Sequence, residues 1–254
     1  MNDAPVTAQA ARPRANWPFV VFMLVLMAIF IALGTWQIAR LGEKEALIEA
    51  VESRLDLQPI GLPPSSEWAG FDPEPYIYRT VNASGTWLPD GTVLVFTSLG
   101  EARGPYSGPG YWVMTPLALS GGGTVFVNQG FVPQASGSAF AGGGPLPTGP
   151  VTVRGVVREA ERPSAFTPGM DGARRIDWIR DPQRLAGLAP DAPRPIAPVF
   201  IDLPAGGEGA LPQGGETRLE FPNNHLGYAI TWFGFAILVP ILLWFWFHRQ
   251  RSAA

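Results

Sequence analysis

Residues Ala15 to Ala39 carry no charged side chain, and neither do residues Leu226 to Phe247. Each run exceeds the roughly 20 residues an α-helix needs to cross about 30 Å of hydrocarbon. This constrains the fold strongly, because lipid accepts only backbone whose hydrogen bonds close within the segment or within a barrel. Trp17 and Trp36 bracket the first run, and Tyr228 and Trp246 bracket the second. Aromatic side chains favour the two membrane interfaces. Two transmembrane helices are therefore expected, over residues 17–39 and 225–247. The first run is too long for a typical signal core, and no clear small-x-small cleavage site follows it. A lipoprotein anchor needs a cysteine, and the chain has none.

Arg12 and Arg14 precede the first run, and His248, Arg249 and Arg251 follow the second. Positive flanks stay on the cytoplasmic side, so the tails 1–16 and 248–254 are expected there, the two helices forming a hairpin. Arg40 and Lys44 oppose this orientation, but they border a long translocated segment, where the rule loses force. Residues Leu41 to Asn224 then lie outside the cytoplasm, with 13 basic and 20 acidic residues and a formal charge of −7. Such a balance argues against nucleic acid as a partner and leaves protein or small molecules. Seventeen of the 18 basic residues are arginine, and alanine, glycine and proline abound. That bias suits a high-GC bacterial genome, and the tail, which holds Asp3, is too short for a mitochondrial transit peptide. The expected location is a bacterial inner membrane, with the central domain in the periplasm.

Beyond the first span, Ile38, Leu41, Ile48, Val51 and Leu55 recur at helical spacing among charged residues, so the helix is expected to continue over 40–58. Pro59, Pro63 and Pro64 end it and open a linker-like stretch to Pro75. The pattern then changes to short β-type runs: "YIYRTVNASG", "TVLVFTS", "GYWVMTPL", "TVFVNQGFV", "VTVRGVVRE", "APVFIDL" and "ETRLEF". Turn signals separate them, which predicts an antiparallel β barrel or sandwich over 59–224. One short helix is expected at "DPQRLAGLA", capped by Asp181 with Pro182 in the first helical position. The fold class is thus membrane α plus β: two terminal helices carrying one extramembrane β domain.

This domain contains neither histidine nor cysteine, which removes the usual metal clusters and any Ser-His-Asp triad from it. The glycine runs match no phosphate-binding fingerprint. Asp177 and Asp181 could do acid–base work, but capping and solvation of a loop and short helix is the simpler role. No enzyme is expected; a periplasmic enzyme on a membrane anchor lacks a base or metal site.

His225, one of two histidines, opens the second apolar run. One reading leaves it at the interface, bonded to water or headgroups, with Asn223 or Asn224 capping the helix. The other notes that Tyr228 and Trp232 follow at three and seven residues, on the same stripe. An imidazole beside an aromatic wall offers an iron porphyrin an axial ligand and a stacking surface. Trp36, Gln37 and Arg40 lie at the outer end of the first helix. Arg40 could fork onto ring propionates or snorkel to headgroups. Met23 and Met27 lie too deep to supply a second axial ligand.

The segments "LGTWQIARLGEKEALI", "YWVMTPL", "VNQGFVP", "GGETRL" and "NNHLGYAITWFGFA" resemble, in this order, the signature segments of the Surfeit-locus-one family, called Shy-type in yeast. The resemblance spans nearly the whole chain. It departs at Gln129, where the family usually has arginine, and in the Gly-rich loop around Gly142. It implies an assembly factor for haem–copper cytochrome c oxidase that binds haem a and assists its insertion into subunit I. It further implies that His225 is the haem iron's axial ligand, that Trp232 supports the site, and that Tyr228 is a motif tyrosine. Arg40 and Trp36 match the family's first-helix motif, and their contact with haem is inferred from position. The partners implied are subunit I, membrane lipid and, as a further candidate, haem a synthase. The alternative is a membrane-anchored scaffold for the nascent oxidase subunit that does not itself bind haem.

Overall fold

The computed structural model describes residues 17–55, 57–216 and 223–252. The N-terminal tail 1–16, with Arg12 and Arg14, lies outside the described residues, as does the expected last strand "ETRLEF" beyond Glu216. The chain divides into two compact units, Met1–Glu49 with Glu220–Ala254, and Ala50–Leu219.

The first unit is built on two long helices, most of α1 (Trp17–Leu55) and the whole of α4 (His225–Ser252). Pro18 sits in the first turn of α1, where a missing N–H leaves no bond unmade. Both helices are long and apolar enough to cross a membrane. Their apolar residues are not confined to a buried stripe: Phe22, Val25, Ile29, Ile230, Ile237 and Trp244 are all exposed. In water such a surface would be a liability. Contacts between the helices run in opposite order along the two. The Phe19 ring lies 5.1 Å from that of Trp246, Phe30 lies 5.8 Å from Trp232 and 5.4 Å from Phe235, and Gln37 meets His225. Gly34 is buried because Phe233 packs where a side chain would be; an added Cβ would stand 2.8 Å from its ring. Small residues permit such close helix approach.

The second unit is a β barrel. Its strands are β1 (Ile60–Gly61), β2 (Thr80–Trp87), β3 (Val93–Leu99), β4 (Gly108–Leu119), β5 (Thr124–Pro133), β6 (Pro150–Glu159), β7 (Ile176–Asp177) and β8 (Ile196–Asp202). The order β2-β6-β8-β5-β4 closes on itself through a second pairing of β2 with β4. β4 is long enough to fork: its first half pairs with β3, and Leu117–Leu119 pair with Trp87–Gly85 to close the ring.

Side-chain alternation explains which strands look polar in sequence. The barrel interior takes Val81, Ala83, Leu117, Val127, Val157 and Ile201, drawn from all five ring strands. A second core covers the opposite face of β3, β4, β5 and β8, with Met114, Phe126 and Phe200 packed against Leu185, Ala186 and Ala189. β5 and β8 are therefore buried on both faces, which is why "TVFV" and "PVFI" read as unbroken apolar runs. β2 and β6 face solvent on one side and alternate.

Several expectations need correction. The barrel is not purely antiparallel: β8 runs parallel to β5. Residues 134–195 form the crossover that a parallel neighbour requires. "YIYR" is a turn rather than strand, with Ile77 N–H bonded to Pro73 and Tyr78 at φ +64°. The stretch from Pro59 to Pro75 is packed structure, since Trp68 is buried and donates its indole N–H to Pro63 O at 3.0 Å. Two further helices are one turn each, α2 (Gly137–Phe140) and α3 (Pro182–Leu185). α3 starts as expected, Asp181 accepting from Gln183 N–H at 2.9 Å, but it ends after four residues.

Candidate functional site

Several charged groups of the β unit are engaged in holding it together. Asp177 is not solvated as expected but fully buried, accepting from Arg184 Nε at 2.7 Å. That hydrogen bond raises the Arg184 pKa further above its already high value, against a smaller opposing effect of burial. Asp202 accepts from Asn128 at 2.8 Å and lies 3.6 Å from Arg158 and 3.9 Å from Arg180. The Arg180 guanidinium lies 5.2 and 5.1 Å from the Trp112 and Phe200 ring centres and donates through Nε and Nη2 to Glu161 Oε1. Burial pushes the Glu161 pKa up, but the Arg180 charge and hydrogen bonds outweigh it and hold the carboxyl below its usual range. Gln129 donates to Thr115 Oγ1 at 2.6 Å and Gly143 O at 3.1 Å, tying down the loop after α2. These side chains all have polar partners, the condition under which buried polar groups are tolerated. Among the described residues no group of three His, Cys, Asp or Glu side chains is placed to hold a metal.

The helical unit holds the remaining candidates. His225 is the first residue of α4, half-buried, and its Nδ1 lies 2.7 Å from Gln37 Oε1 on α1. Gln37 itself is 8% exposed. An amide oxygen only accepts, so the facing Nδ1 is the donor, and in the ring form with a single N–H the lone pair then lies on Nε2. Among the described residues Nε2 has no hydrogen-bond partner. The helix entrance is formed by backbone, Tyr228 N–H bonding Asn224 O at 3.3 Å. The expected side-chain cap is not seen from Asn223, whose Oδ1 is buried without a partner among the described residues.

The other predicted residues are placed differently. Tyr228 is exposed, one turn along α4 from His225. Trp232 continues that stripe but stacks on Phe30, so part of its ring is committed to helix packing. Trp36 is exposed beside Gln37, and the Arg40 guanidinium lies 6.0 Å from its ring centre. Arg40 also donates to Glu43 at 2.7 Å, an exposed ion pair on one helix. It stands one turn beyond Gln37, about 4.5 Å further along the axis. His225 and Gln37 are brought together, Trp36 and Arg40 lie one and three residues from Gln37 on α1, and Trp232 is engaged in helix packing. Gln37 was not among the predicted site residues. Its signal was present in the chain: an amide inside an otherwise apolar run, where nothing but a polar partner justifies it.

Comparison with known proteins gives a consistent result. The family model described as "SURF1 family" matches residues 24–237. The chain belongs to the SURF1 family. A "SURF1-like protein" of Monosiga brevicollis is 31% identical over 238 residues, covering 90% of this chain and 87% of that protein. A "Surfeit locus protein 1" of Rattus norvegicus is 31% identical, over 90% of this chain and 74% of its own length. One from Takifugu rubripes is 30% identical, over 88% of this chain and 94% of its own. The SURF1 match includes nearly all of α1 after its first two turns, the whole β barrel, and His225, Tyr228 and Trp232 on α4.

Proposed function

We propose that this SURF1-family chain is an assembly factor for haem–copper cytochrome c oxidase that binds haem a and assists its insertion into subunit I. The observation that carries the reading is the His225–Gln37 pair. His225 stands at one end of two apolar helices with its Nδ1 held 2.7 Å from Gln37 Oε1, which leaves Nε2 to ligate. The donor chemistry fits: one nitrogen ligand, oriented by an acceptor on its other nitrogen, is the usual arrangement of a metal-bound histidine. Haem a joins an iron porphyrin to a long apolar tail. The tail belongs in lipid beside α1 and α4, and the propionates belong at the interface. There Arg40 can leave Glu43 for a propionate at little cost, since exposed ion pairs contribute about 0–1 kcal/mol. Tyr228, one turn along α4 from His225, and Trp36, beside Gln37 in sequence, both have exposed rings. A single committed ligand suits a carrier, which must release what it holds.

The role is non-enzymatic: the chain binds, orients and hands on. The test is the absorption spectrum of the full chain purified after expression with the enzymes of haem a synthesis. Bound haem a is expected at near one per chain. A colourless preparation from cells that contain haem a sinks this function and leaves the scaffold for the nascent oxidase subunit.

The same reading places the protein in a bacterial inner membrane as a two-helix hairpin, both termini cytoplasmic and the barrel periplasmic. Its support is the two uncharged runs and their arginine flanks. A reporter active only in the cytoplasm is expected to work at either terminus and to be silent when inserted beside Gly142. Activity from the Gly142 insertion would reverse the orientation.

A further inference from the structure

We infer that Gln37 is a positioning residue, whose side-chain oxygen holds the His225 ring as the Nδ1–H tautomer so that Nε2 keeps the ligating lone pair. This rests on the haem-binding reading above. Phe30, Gly34 and Gln37 recur at helical spacing and form the stripe of α1 that meets α4, against Trp232, Phe233 and His225 in turn. The first two contacts are apolar packing. The third places a buried amide where a leucine of similar size would pack without any desolvation cost. The partner of that amide is a ring whose chemistry depends on which nitrogen holds the proton. An unconstrained neutral imidazole favours the Nε2–H form, which has no lone pair at Nε2. An acceptor 2.7 Å from Nδ1 reverses that preference and makes the ring a stronger donor. Cross-helix bonds of this kind also fasten helices, so the test must separate fastening from positioning.

The full chain in detergent micelles is compared as wild type, Gln37→Leu, Gln37→Glu and His225→Ala. Each apo protein is examined by 15N NMR of the His225 ring, and each is titrated with ferric protoporphyrin. Wild type is expected to show the Nδ1–H tautomer. Gln37→Leu should move the ring toward Nε2–H and weaken haem binding about 10- to 100-fold, the usual effect of losing a ligand's supporting partner. Gln37→Glu keeps an acceptor and should restore affinity, with a lower reduction potential of the bound haem because the ring is a better donor. An unchanged tautomer and affinity in Gln37→Leu, with weak binding by His225→Ala, overturns the positioning role while the haem reading stands. Failure of Gln37→Glu to restore what Gln37→Leu loses assigns Gln37 to helix fastening and overturns it too. Wild-type affinity in His225→Ala sinks the haem-ligand reading itself, whatever the ring spectra show.

Discussion

Replacing His225 with alanine is expected to leave the protein in the membrane at its normal level and to strip it of haem a. The span keeps its apolar length, because the histidine is only the first residue of α4 and the uncharged run begins after it. On the proposed haem-carrier function the substitution removes the iron's nitrogen ligand, so affinity should fall by more than the roughly 100-fold that loss of a supporting partner can cost. The substitution has a second effect. Gln37 is buried, and without the imidazole its oxygen has lost its partner, which costs about 1–3 kcal/mol of helix pairing. His225→Gln separates the two, since a glutamine amide can donate to Gln37 across the helices but offers iron no imidazole. Both variants are expected to purify colourless at wild-type yield. Trp232→Ala should lose less haem but more helix contact, since its ring stacks on Phe30. Haem a at wild-type content in His225→Gln would remove the ligand assignment and, with it, the main support for a haem carrier.

The two apolar helices were legible because lipid imposes a length and a composition that few other environments do. The strands of the barrel were legible for a related reason: burial on one face gives alternation, and burial on both gives short apolar runs. What the runs could not reveal was their pairing. Nothing local to "APVFIDL" tells whether it joins β5 parallel or antiparallel; that is decided by a 62-residue crossover that threads β6, β7 and α3 between them. The turn at "YIYR" has a local cause. Aromatic and β-branched residues favour strands, but Pro73 and Pro75 start a turn that Tyr78 completes at positive φ. In the site, His225 stood out because histidine is rare in this chain. Gln37 did not, because its meaning lies in a contact 188 residues away. Asp177 is the same case: a buried carboxylate is indistinguishable in sequence from a solvated one, and its Arg184 partner stands seven residues on.

Gly85→Ala is expected to unfasten the barrel where the ring closes. Gly85 pairs with Val151 of β6 on one side and Leu119 of β4 on the other, and only three residues of β2 make the closing contact with β4. A Cβ added at Gly85 would collide with the Ala118 carbonyl oxygen, stand 2.9 Å from the Ala118 carbonyl carbon and 3.1 Å from Leu117 Cγ. Two of these atoms are backbone, so no rotamer change relieves the clash. β2 must move away from β4, which opens the interior core beside Trp87 and Leu117. Overpacking against rigid neighbours costs about 3 kcal/mol, roughly 6–12 °C in Tm for a unit of this size. Gly61→Ala is the control, since an added Cβ there meets nothing within 4 Å, and its Tm should be unchanged or slightly higher. Tryptophan fluorescence during thermal unfolding of the full chain in detergent reads both variants. Equal Tm values for Gly85→Ala and Gly61→Ala would show that β2 and β4 can part without cost, and that the five strands form an open sheet in solution rather than a closed ring.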